Sequence, residues 1–454
     1  MSVVTVVGAS GSQVPVTVDG AAAYSLAQFY ATSIQGLSFG GKLFTENLVS
    51  GSTADSVPSG QTGEAIISAP GTYVIPAGYS YVSDFSTGAV TISEGALTTS
   101  TSVLAGSGGT SVYGGDGGGV FVAGGGDNLF DGTGAGSYTI ATGSGNDTIY
   151  GNAGNDLIYG GTGSNTITTG TGNDSVFSQG NDYITLGTGA NVVSVTGSSS
   201  TIIGSTGTLT LVDTAGTSTE FLGNSGSTVL FAGSSGSYYL SGNTTVTGGT
   251  NDTITASGDT TVFGGVNTSV FENGTGSLAF IAHSNSSATV GSAGQGNATV
   301  FGASGADITF LSANNVNYLT AGTGNDTLDG SFSTGALDLT GGSGNASLLG
   351  GSGADTLVSG SGNNTLTGGT GANLFSFEDA AAGGNTTITD FGSSAGNMVG
   401  LFGYGANEIQ TALASATDVA GGSVIKLSDN TTITFNNLTA DELKTHSSQF
   451  TSNT

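Results

Sequence analysis

The chain has 454 residues, with 84 Gly, 31 Asp and Glu, only 3 Lys and Arg, no Cys, and a formal net charge of -28 at pH 7. So few cations cannot neutralise phosphates, which excludes nucleic acid as a partner and disfavours anionic membrane surfaces. The lack of Cys excludes disulfides and Cys-ligated metal sites, and no apolar run is long enough for membrane insertion. The carboxylates have almost no side-chain cations to pair with, so something else must neutralise them.

Residues 1–100 contain less Gly than the rest of the chain. The stretches VVTVV and VPVTV predict two strands, and apolar residues from 21 to about 34 predict a helix. No basic and apolar leader follows the first residue, so we expect no cleaved secretory signal. We interpret this segment as an N-terminal cap and assembly region.

Nine-residue units begin in residues 101–195. Four contiguous copies run from residue 142, reading TGSGNDTIY, GNAGNDLIY, GGTGSNTIT and TGTGNDSVF, and a shortened copy contains Asp182. A fixed period of this kind predicts a repeat architecture.

The motif weakens in residues 196–320, although short strand candidates still recur every roughly nine to eleven residues. It returns at 302–310 and 321–329 and runs unbroken from 341 to 376. We therefore predict a degenerate Gly/Ser/Thr-rich β-solenoid over 196–320 and a second roll over 321–376.

These units resemble the RTX nonapeptide of the hemolysin-type proteins, G-G-x-G-x-D-x-U-x, where U is a large apolar residue. The best match is GGSGADTLV at 350–358. The resemblance implies an all-β fold, a parallel β-helix or β-roll solenoid with small N-terminal and C-terminal capping regions, and Ca²⁺ as the bound ion.

The residue types of the unit suit calcium. Gly permits positive φ, so that turn carbonyls can point towards one centre, and the Asp adds a carboxylate oxygen. Ca²⁺ takes hard oxygen ligands of both kinds. The predicted ligand positions are Asp127, Asp147, Asp156, Asn165, Asp174, Asp182, Asp307, Asp326, Asp355, Asn364 and Asn373.

Residues eighteen apart should stack on the same side of a solenoid with two units per coil, as with Asp156 and Asp174, or Asp147 and Asn165. The first cluster comprises Asp147, Asp156, Asp174 and Asp182, and the second comprises Asp355, Asn364 and Asn373. We expect the first cluster to bind best, because Asn has an oxygen but no charge. The isolated Asp252 and Asp259 are further candidates. The alternative is that the Asp and Asn residues only cap turns and form stacked ladders.

Residues 377–454 look different. The segment 368–391, GGTGANLFSFEDAAAGGNTTITDF, runs from the last nonapeptide into this region and resembles the end of the calcium roll of serralysin-like metalloproteases. A helix near 407–414, a hairpin turning at Asp429 and Asn430, and a last helix should follow. The resemblance implies a C-terminal cap that carries an uncleaved type I secretion signal.

The resemblance does not extend to catalysis. His283 and His446 are the two His residues, and neither lies in an H-E-x-x-H zinc motif. We expect no enzyme. A polysaccharide hydrolase that uses two exposed carboxylates, such as Glu220 and Glu272, remains an open alternative.

These features predict a secreted calcium-binding structural protein, located outside the cell or on a bacterial cell surface. We expect it to self-assemble into a filament, a surface layer or a biofilm matrix. The expected partners are further copies of the chain, joined head to tail, and the type I secretion machinery. The alternative is a monomeric adhesin that binds a surface or matrix polysaccharide.

Overall fold

Short parallel strands separated by tight turns make up most of the chain. The computed structural model describes residues 2–7, 13–95, 97–197, 199–214, 219–223, 225–312 and 317–452. The chain divides into two units, Met1–Tyr238 and Tyr239–Thr454. Each is a parallel β-solenoid with few helices, so the predicted fold class is confirmed.

The first unit begins with a hairpin and a helix, and its strands then alternate between two sheets. In chain order its elements are β1 (Ser2–Val7), β2 (Gln13–Val18), α1 (Ala21–Phe39), β3 (Leu43–Asn47), β4 (Thr62–Ile67), β5 (Gly71–Val74), β6 (Tyr79–Asp84), β7 (Val90–Ser93), β8 (Thr101–Ala105), β9 (Thr110–Gly114), β10 (Gly119–Ala123), β11 (Leu129–Gly132), β12 (Tyr138–Ala141), β13 (Thr148–Tyr150), β14 (Leu157–Gly161), β15 (Thr166–Thr168), β16 (Ser175–Ser178), β17 (Tyr183–Thr185), β18 (Ala190–Val195), β19 (Thr201–Ile203), β20 (Thr208–Asp213), β21 (Glu220–Leu222) and β22 (Thr228–Phe231). The next strand, β23 (Ser237–Leu240), contains the boundary between the units.

Strands of the solenoid pair in parallel with the strand one coil away. In the first unit β3 and the even-numbered strands from β4 form one sheet, and the odd-numbered strands from β5 form the other. The central apolar residue of each strand points inward, so that Ile140, Ile158 and Val176 stack in register and are fully buried. This inward column forms the core, because a strand of three or four residues has one central side chain to bury.

The N-terminal cap packs against this solenoid. Strands β1 and β2 form an antiparallel hairpin, and the buried Tyr30 and Ile34 of α1 lie in one core with solenoid residues Leu104 and Val122. The predicted strands and helix are confirmed, and the helix continues to Phe39. The parallel strands begin at Leu43, earlier than residue 101. The sequence pattern did not indicate the coils between 43 and 100, because their turns lack G-x-G.

The second unit continues the same alternation and ends in a mixed cap. In chain order its elements are β24 (Thr244–Thr247), β25 (Thr253–Ala256), β26 (Thr260–Phe263), β27 (Thr268–Glu272), β28 (Leu278–Ile281), β29 (Ser287–Ser292), β30 (Ala298–Phe301), β31 (Asp307–Ser312), β32 (Asn317–Thr320), β33 (Asn325–Asp329), β34 (Leu337–Thr340), β35 (Asn345–Leu349), β36 (Thr356–Val358), β37 (Asn364–Thr367), β38 (Leu374–Glu378), β39 (Asn385–Ile388), β40 (Met398–Phe402), α2 (Glu408–Ala414), β41 (Thr417–Val419), β42 (Gly422–Lys426), β43 (Thr432–Asn436), α3 (Ala440–Thr445) and β44 (Phe450–Thr451). The strands predicted between 196 and 320 are present in the two units.

The C-terminal cap closes both sheets of the second unit. Strand β43 pairs in parallel with β39 and continues into the antiparallel β42 and β41, while β44 pairs with β40. Phe391 packs edge to face against Phe435 of β43 and Phe450 of β44, and these two rings are tilted towards each other. Thr439 and Glu442 form a capping box that begins α3. The predicted helices and hairpin are therefore confirmed.

A buried carboxyl links the N-terminal helix to the solenoid. Ser83 donates its hydroxyl hydrogen to Glu64 Oε1 at 2.7 Å, and the hydroxyls of Ser83 and Tyr30 lie 2.9 Å apart. Glu64 is fully buried, and burial raises the pKa of its carboxyl to about 7. Because the folded state binds this proton more tightly than the unfolded state, the contribution of Glu64 to stability falls as the pH rises from about 4.5 towards 7.

Replacing Glu64→Gln should therefore stabilise the protein at pH 8, by at most roughly 3 kcal/mol, and have little effect at pH 5. Urea denaturation of both proteins in saturating calcium would measure this difference. Glu220→Gln is the control, since Glu220 is exposed on β21. A stability difference that is the same at both pH values would contradict the role given to Glu64.

Candidate metal centre

Buried Asp and Asn side chains connect successive coils at the point where each turn enters its strand. We call Asp147, Asp156, Asn165, Asp174, Asp182 and Asn191 the inner row. Each accepts a backbone N–H from the preceding coil: the N–H of Asp156 donates to Asp174 Oδ1 at 2.9 Å, and that of Asp147 to Asn165 Oδ1 at 2.9 Å. The stacking predicted from the eighteen-residue spacing is confirmed.

An outer row lies one residue earlier in each turn and is exposed. Here the bond runs the other way, because the side chain accepts an N–H from the following coil. Asp127 Oδ1 accepts from Asn146 N at 2.8 Å, and Asn155 Oδ1 accepts from Asn173 N at 2.8 Å. Adjacent coils are therefore joined by paired hydrogen bonds of opposite direction.

Two of the predicted ligands belong to this outer position. Asp127 and Asp307 are both exposed, and Asp307 Oδ1 accepts from Asn325 N at 2.7 Å. The inner position next to Asp127 is taken by Asn128, which accepts from Thr110 N and is buried. The sequence reads DN there instead of ND, and this reversed pair was the signal that could have identified Asn128.

The second carboxylate oxygen distinguishes three inner-row residues from the others. Asp147, Asp156 and Asp174 each have a buried Oδ2 with no hydrogen-bond partner among the described residues. Burial raises the pKa of Asp147, and the nearby Thr142 hydroxyl opposes this rise, although it donates to the Gly160 carbonyl at 3.1 Å. Unpartnered buried oxygens of this kind are costly unless a cation or proton meets them.

Burial raises the pKa of all three carboxyls, and most clearly that of Asp156. The pKa of Asp156 rises to about 7, first through burial and further through the nearby charge of Asp174. At neutral pH these groups are therefore poorly stabilised as anions by the protein alone. A bound cation would reverse this, since it favours the charged form.

Gly151 leaves open space beside the free oxygen of Asp156. A Cβ at this position would lie 2.5 Å from both Asp156 Oδ2 and the carbonyl oxygen of Thr169. A carboxylate oxygen and a carbonyl oxygen thus border the same small space, and both are ligands that Ca²⁺ takes. The residues present fit the ion.

The turns of the two clusters differ in backbone conformation. Before Asp174, Gly170 has φ 84° and Gly172 has φ 143°, the alternation of left-handed residues that the motif predicts. Before Asp355, Gly351 and Gly353 do not adopt such angles, and the Gly351 N–H donates to Asp355 Oδ2 at 2.8 Å. Asp326 is bonded in the same way by Gly322 N at 2.7 Å.

The remaining predicted ligands also have internal partners. Asp182 Oδ2 accepts from the Ser178 hydroxyl at 2.6 Å. The side-chain amide of Asn165 donates to the Gly160 carbonyl at 2.8 Å, and that of Asn364 donates to Gly360 at 3.1 Å. Asn373 donates to Gly371 at 3.3 Å. An amide N–H₂ therefore satisfies carbonyl oxygens that would otherwise be available to a cation.

The other candidate positions are placed as follows. Asp252 is buried and accepts from Gly249 N at 2.7 Å, while Asp259 accepts from Ser277 N at 2.8 Å. Glu220 is exposed as expected, but Glu272 is buried, so these two are not a pair of exposed carboxylates. In the part of the chain that the structure describes, no three His, Cys, Asp or Glu side chains converge. A metal bound here would therefore need backbone oxygens.

A family model for the RTX calcium-binding nonapeptide repeat matches residues 133–167, 141–176, 159–193, 313–333 and 340–375. The chain is an RTX-type repeat protein. The matched segments cover about a quarter of its length, and the first three contain Asp147, Asp156 and Asp174. No curated protein matches the chain. Among the described residues of this RTX-type protein, no helix combines the length and apolar character needed to cross a bilayer.

RTX nonapeptides are calcium-binding motifs, so Ca²⁺ is the cofactor of these repeats. Bound Ca²⁺ would supply the positive charge that the buried carboxylates lack. Asp147, Asp156 and Asp174 would each offer a free Oδ2 atom to an ion in their own turn, while their Oδ1 atoms keep the coils in register. The geometry thus favours the first cluster over the second.

Replacing Asp156→Asn should weaken calcium binding in the first cluster by at least the roughly 10- to 100-fold that loss of an outer-shell partner costs, because a charged direct ligand is lost. The calcium-free protein should become more stable at pH 8, since a buried charge is removed. Calcium titration calorimetry and thermal unfolding in EGTA would measure both effects. Asp355→Asn is the matched control and should change calcium affinity far less; equal effects of the two variants would contradict the ranking.

Replacing Gly151→Ala should also weaken calcium binding, because the added methyl group occupies the space between the Asp156 and Thr169 oxygens. The same calcium titration measures it. Gly36→Ala serves as the control, since a Cβ at this position on α1 meets nothing within 4 Å. Unchanged calcium affinity in Gly151→Ala would show that the ion lies elsewhere.

Proposed function

We propose that this protein is a secreted structural component whose folding calcium controls and whose copies assemble end to end outside the cell. It is a calcium-binding β-roll protein of the RTX type, and such proteins are typically secreted. Binding rather than catalysis is the role that the solenoid favours, because solenoid coils and their caps account for the described elements of both units.

The negative charge of the chain supports the proposal that calcium controls its folding. The net charge of -28 makes the chain repel itself, and burial of Asp147, Asp156 and Asp174 adds a further cost in the absence of a cation. Low calcium inside the cell would keep the repeats unfolded, and higher calcium outside would drive folding. Export of an unfolded chain through the type I secretion machinery is consistent with this sequence of events.

The observation that carries end-to-end assembly is the exposure of three apolar residues beside the first strands of the solenoid. Phe39, Val49 and Val74 are 84%, 67% and 68% exposed. Phe39 and Val49 lie before and after β3 in the chain, and Val74 is the last residue of β5. Each of these two strands pairs on one side only within the described residues. Ser50 bonds to the outer edge of β5 at Thr72, so the edge remains accessible at Val74 and not along its whole length.

A second copy of the chain is the occupant that fits these strand edges. Lys42 lies immediately before β3 and is the one cation in residues 1–425, in a chain otherwise dominated by Asp and Glu. An apolar, locally cationic end of one copy would complement the acidic surface of another. A strand edge that adds to another copy without closing a ring produces a filament.

Polysaccharide binding is the alternative, and one contact speaks against its simplest form. Tyr159 and Phe177 on neighbouring strands stack with ring centroids 4.9 Å apart and an interplanar angle of 14°. Two stacked aromatic rings cover each other's faces and expose their edges. A sugar ring that binds to an aromatic side chain needs an uncovered aromatic face. In the second unit the exposed Phe263 and Phe301 are separated in register by Ile281.

Negative-stain electron microscopy of the purified protein should show filaments or sheets in millimolar calcium and none in EGTA. Monomeric particles in calcium would instead favour the adhesin. Polymers that persist in EGTA would contradict calcium control.

Val74→Glu should abolish these polymers without lowering calcium affinity, because it places a charge on the exposed edge. Val192→Glu is the matched control, since Val192 is 40% exposed but lies on a strand paired on both sides. Polymers formed equally well by both variants would rule out assembly through this edge.

A further inference from the structure

A second kind of buried carboxylate lies outside the segments that the family model matches. Glu272 is the last residue of β27 and is 1% exposed. Its Oε1 accepts from Gly274 N at 2.7 Å. Its Oε2 is buried and has no hydrogen-bond partner among the described residues, which is the condition found for Asp156.

The neighbouring coil places another unpartnered oxygen beside it. Ser292 is the register partner of Glu272 in the adjacent parallel strand, and it is 2% exposed. Its Oγ is also buried without a partner, so no hydrogen bond joins the two side chains. Two polar side chains on adjacent strands that leave their oxygens unpaired indicate a missing third group.

Glycine leaves space for that group, as it does beside Asp156. A Cβ on Gly294 would overlap Glu272 Oε2, and the Gly294 N–H lies near enough to lower the pKa of Glu272 without forming a hydrogen bond to Oε2. Burial is nevertheless the larger effect and raises that pKa. The protein's own polar groups therefore stabilise this anion incompletely.

The turns at this site keep the glycine spacing of the nonapeptide but lack its Asp. They read NGTGS at 273–277 and AGQGN at 293–297, and the residues that follow, where the motif has Asp, are Leu278 and Ala298. The two turns pair through Gln295 N and the Gly274 carbonyl at 2.7 Å. The carboxylate is therefore supplied by Glu272 at the end of the strand before the turn, whereas the motif supplies it from the residue after the turn.

We propose that Glu272 and Ser292 hold a calcium ion between these two turns, at a site that no nonapeptide motif marks. A hard divalent cation is the group that satisfies a carboxylate oxygen and a hydroxyl oxygen together and also neutralises the charge. A lysine does not, since Lys42, Lys426 and Lys444 lie far from this part of the sequence. The site gives the degenerate coils their own calcium dependence.

Glu272→Gln in the full chain tests this site, with bound calcium counted by equilibrium dialysis against ⁴⁵Ca²⁺. We expect the loss of one calcium ion per chain. Hydrogen exchange should locate the loss, because calcium should slow exchange in 273–277 and 293–297 of the native protein and not in the variant. Glu220→Gln is the control and should retain every ion.

Asp156→Asn separates this site from the nonapeptide sites: it should leave calcium protection of 273–297 intact. Ser292→Ala should weaken that protection and provides the readout if Glu272→Gln does not fold. An unchanged ion count together with unchanged protection in both variants would overturn the proposal and indicate that water fills the space. Neither result depends on filaments, so the proposal can fail while end-to-end assembly stands.

Discussion

The turns of a solenoid bring backbone N–H groups into its interior, and these groups must find acceptors. Here Asp and Asn side chains of the adjacent coil supply them, as where Tyr138 N donates to Asp156 Oδ1 at 2.7 Å. One oxygen of each carboxylate is used in this way, and the other is carried into the same interior. In a chain with three cations that second oxygen has no positively charged side chain to meet. Coil stacking and the need for a metal therefore have the same origin.

The inner row and the matching positions of the second cluster satisfy this requirement in four ways. A Ser hydroxyl donates to the second oxygen, as Ser178 does to Asp182. An Asn turns its amide towards the turn carbonyls, as Asn165 does towards Gly160. A turn with a different backbone conformation directs an N–H at the carboxylate, as Gly351 does at Asp355. A turn with alternating left-handed glycines, as before Asp174, leaves the oxygen free for calcium. Residue type and turn conformation together decide which coils need the ion, and this explains how one motif supports both metal-dependent and metal-independent stacking.

The repeat period predicts the solenoid, because nine-residue spacing with one buried apolar residue leaves few other folds. The eighteen-residue stacking of Asp156 on Asp174 followed from the same arithmetic. The metal positions could not be read so directly. GGSGADTLV is the best match to the motif, yet Asp355 within it has both oxygens bonded to backbone N–H groups. The amino-acid sequence does not show which way the peptide groups of the turn face. Asp307 illustrates another limit, since its strand register is shifted by one residue and the carboxylate lies outside.

The paired inner and outer bonds make the whole coil the module of this architecture. A segment of two nonapeptides can be duplicated or lost in evolution and still leave every donor opposite an acceptor, because the coils on either side of the change meet in the same orientation. A single nonapeptide cannot, since its removal would bring residues of one sheet against those of the other. Length variation among chains of this design should therefore be quantised in coils.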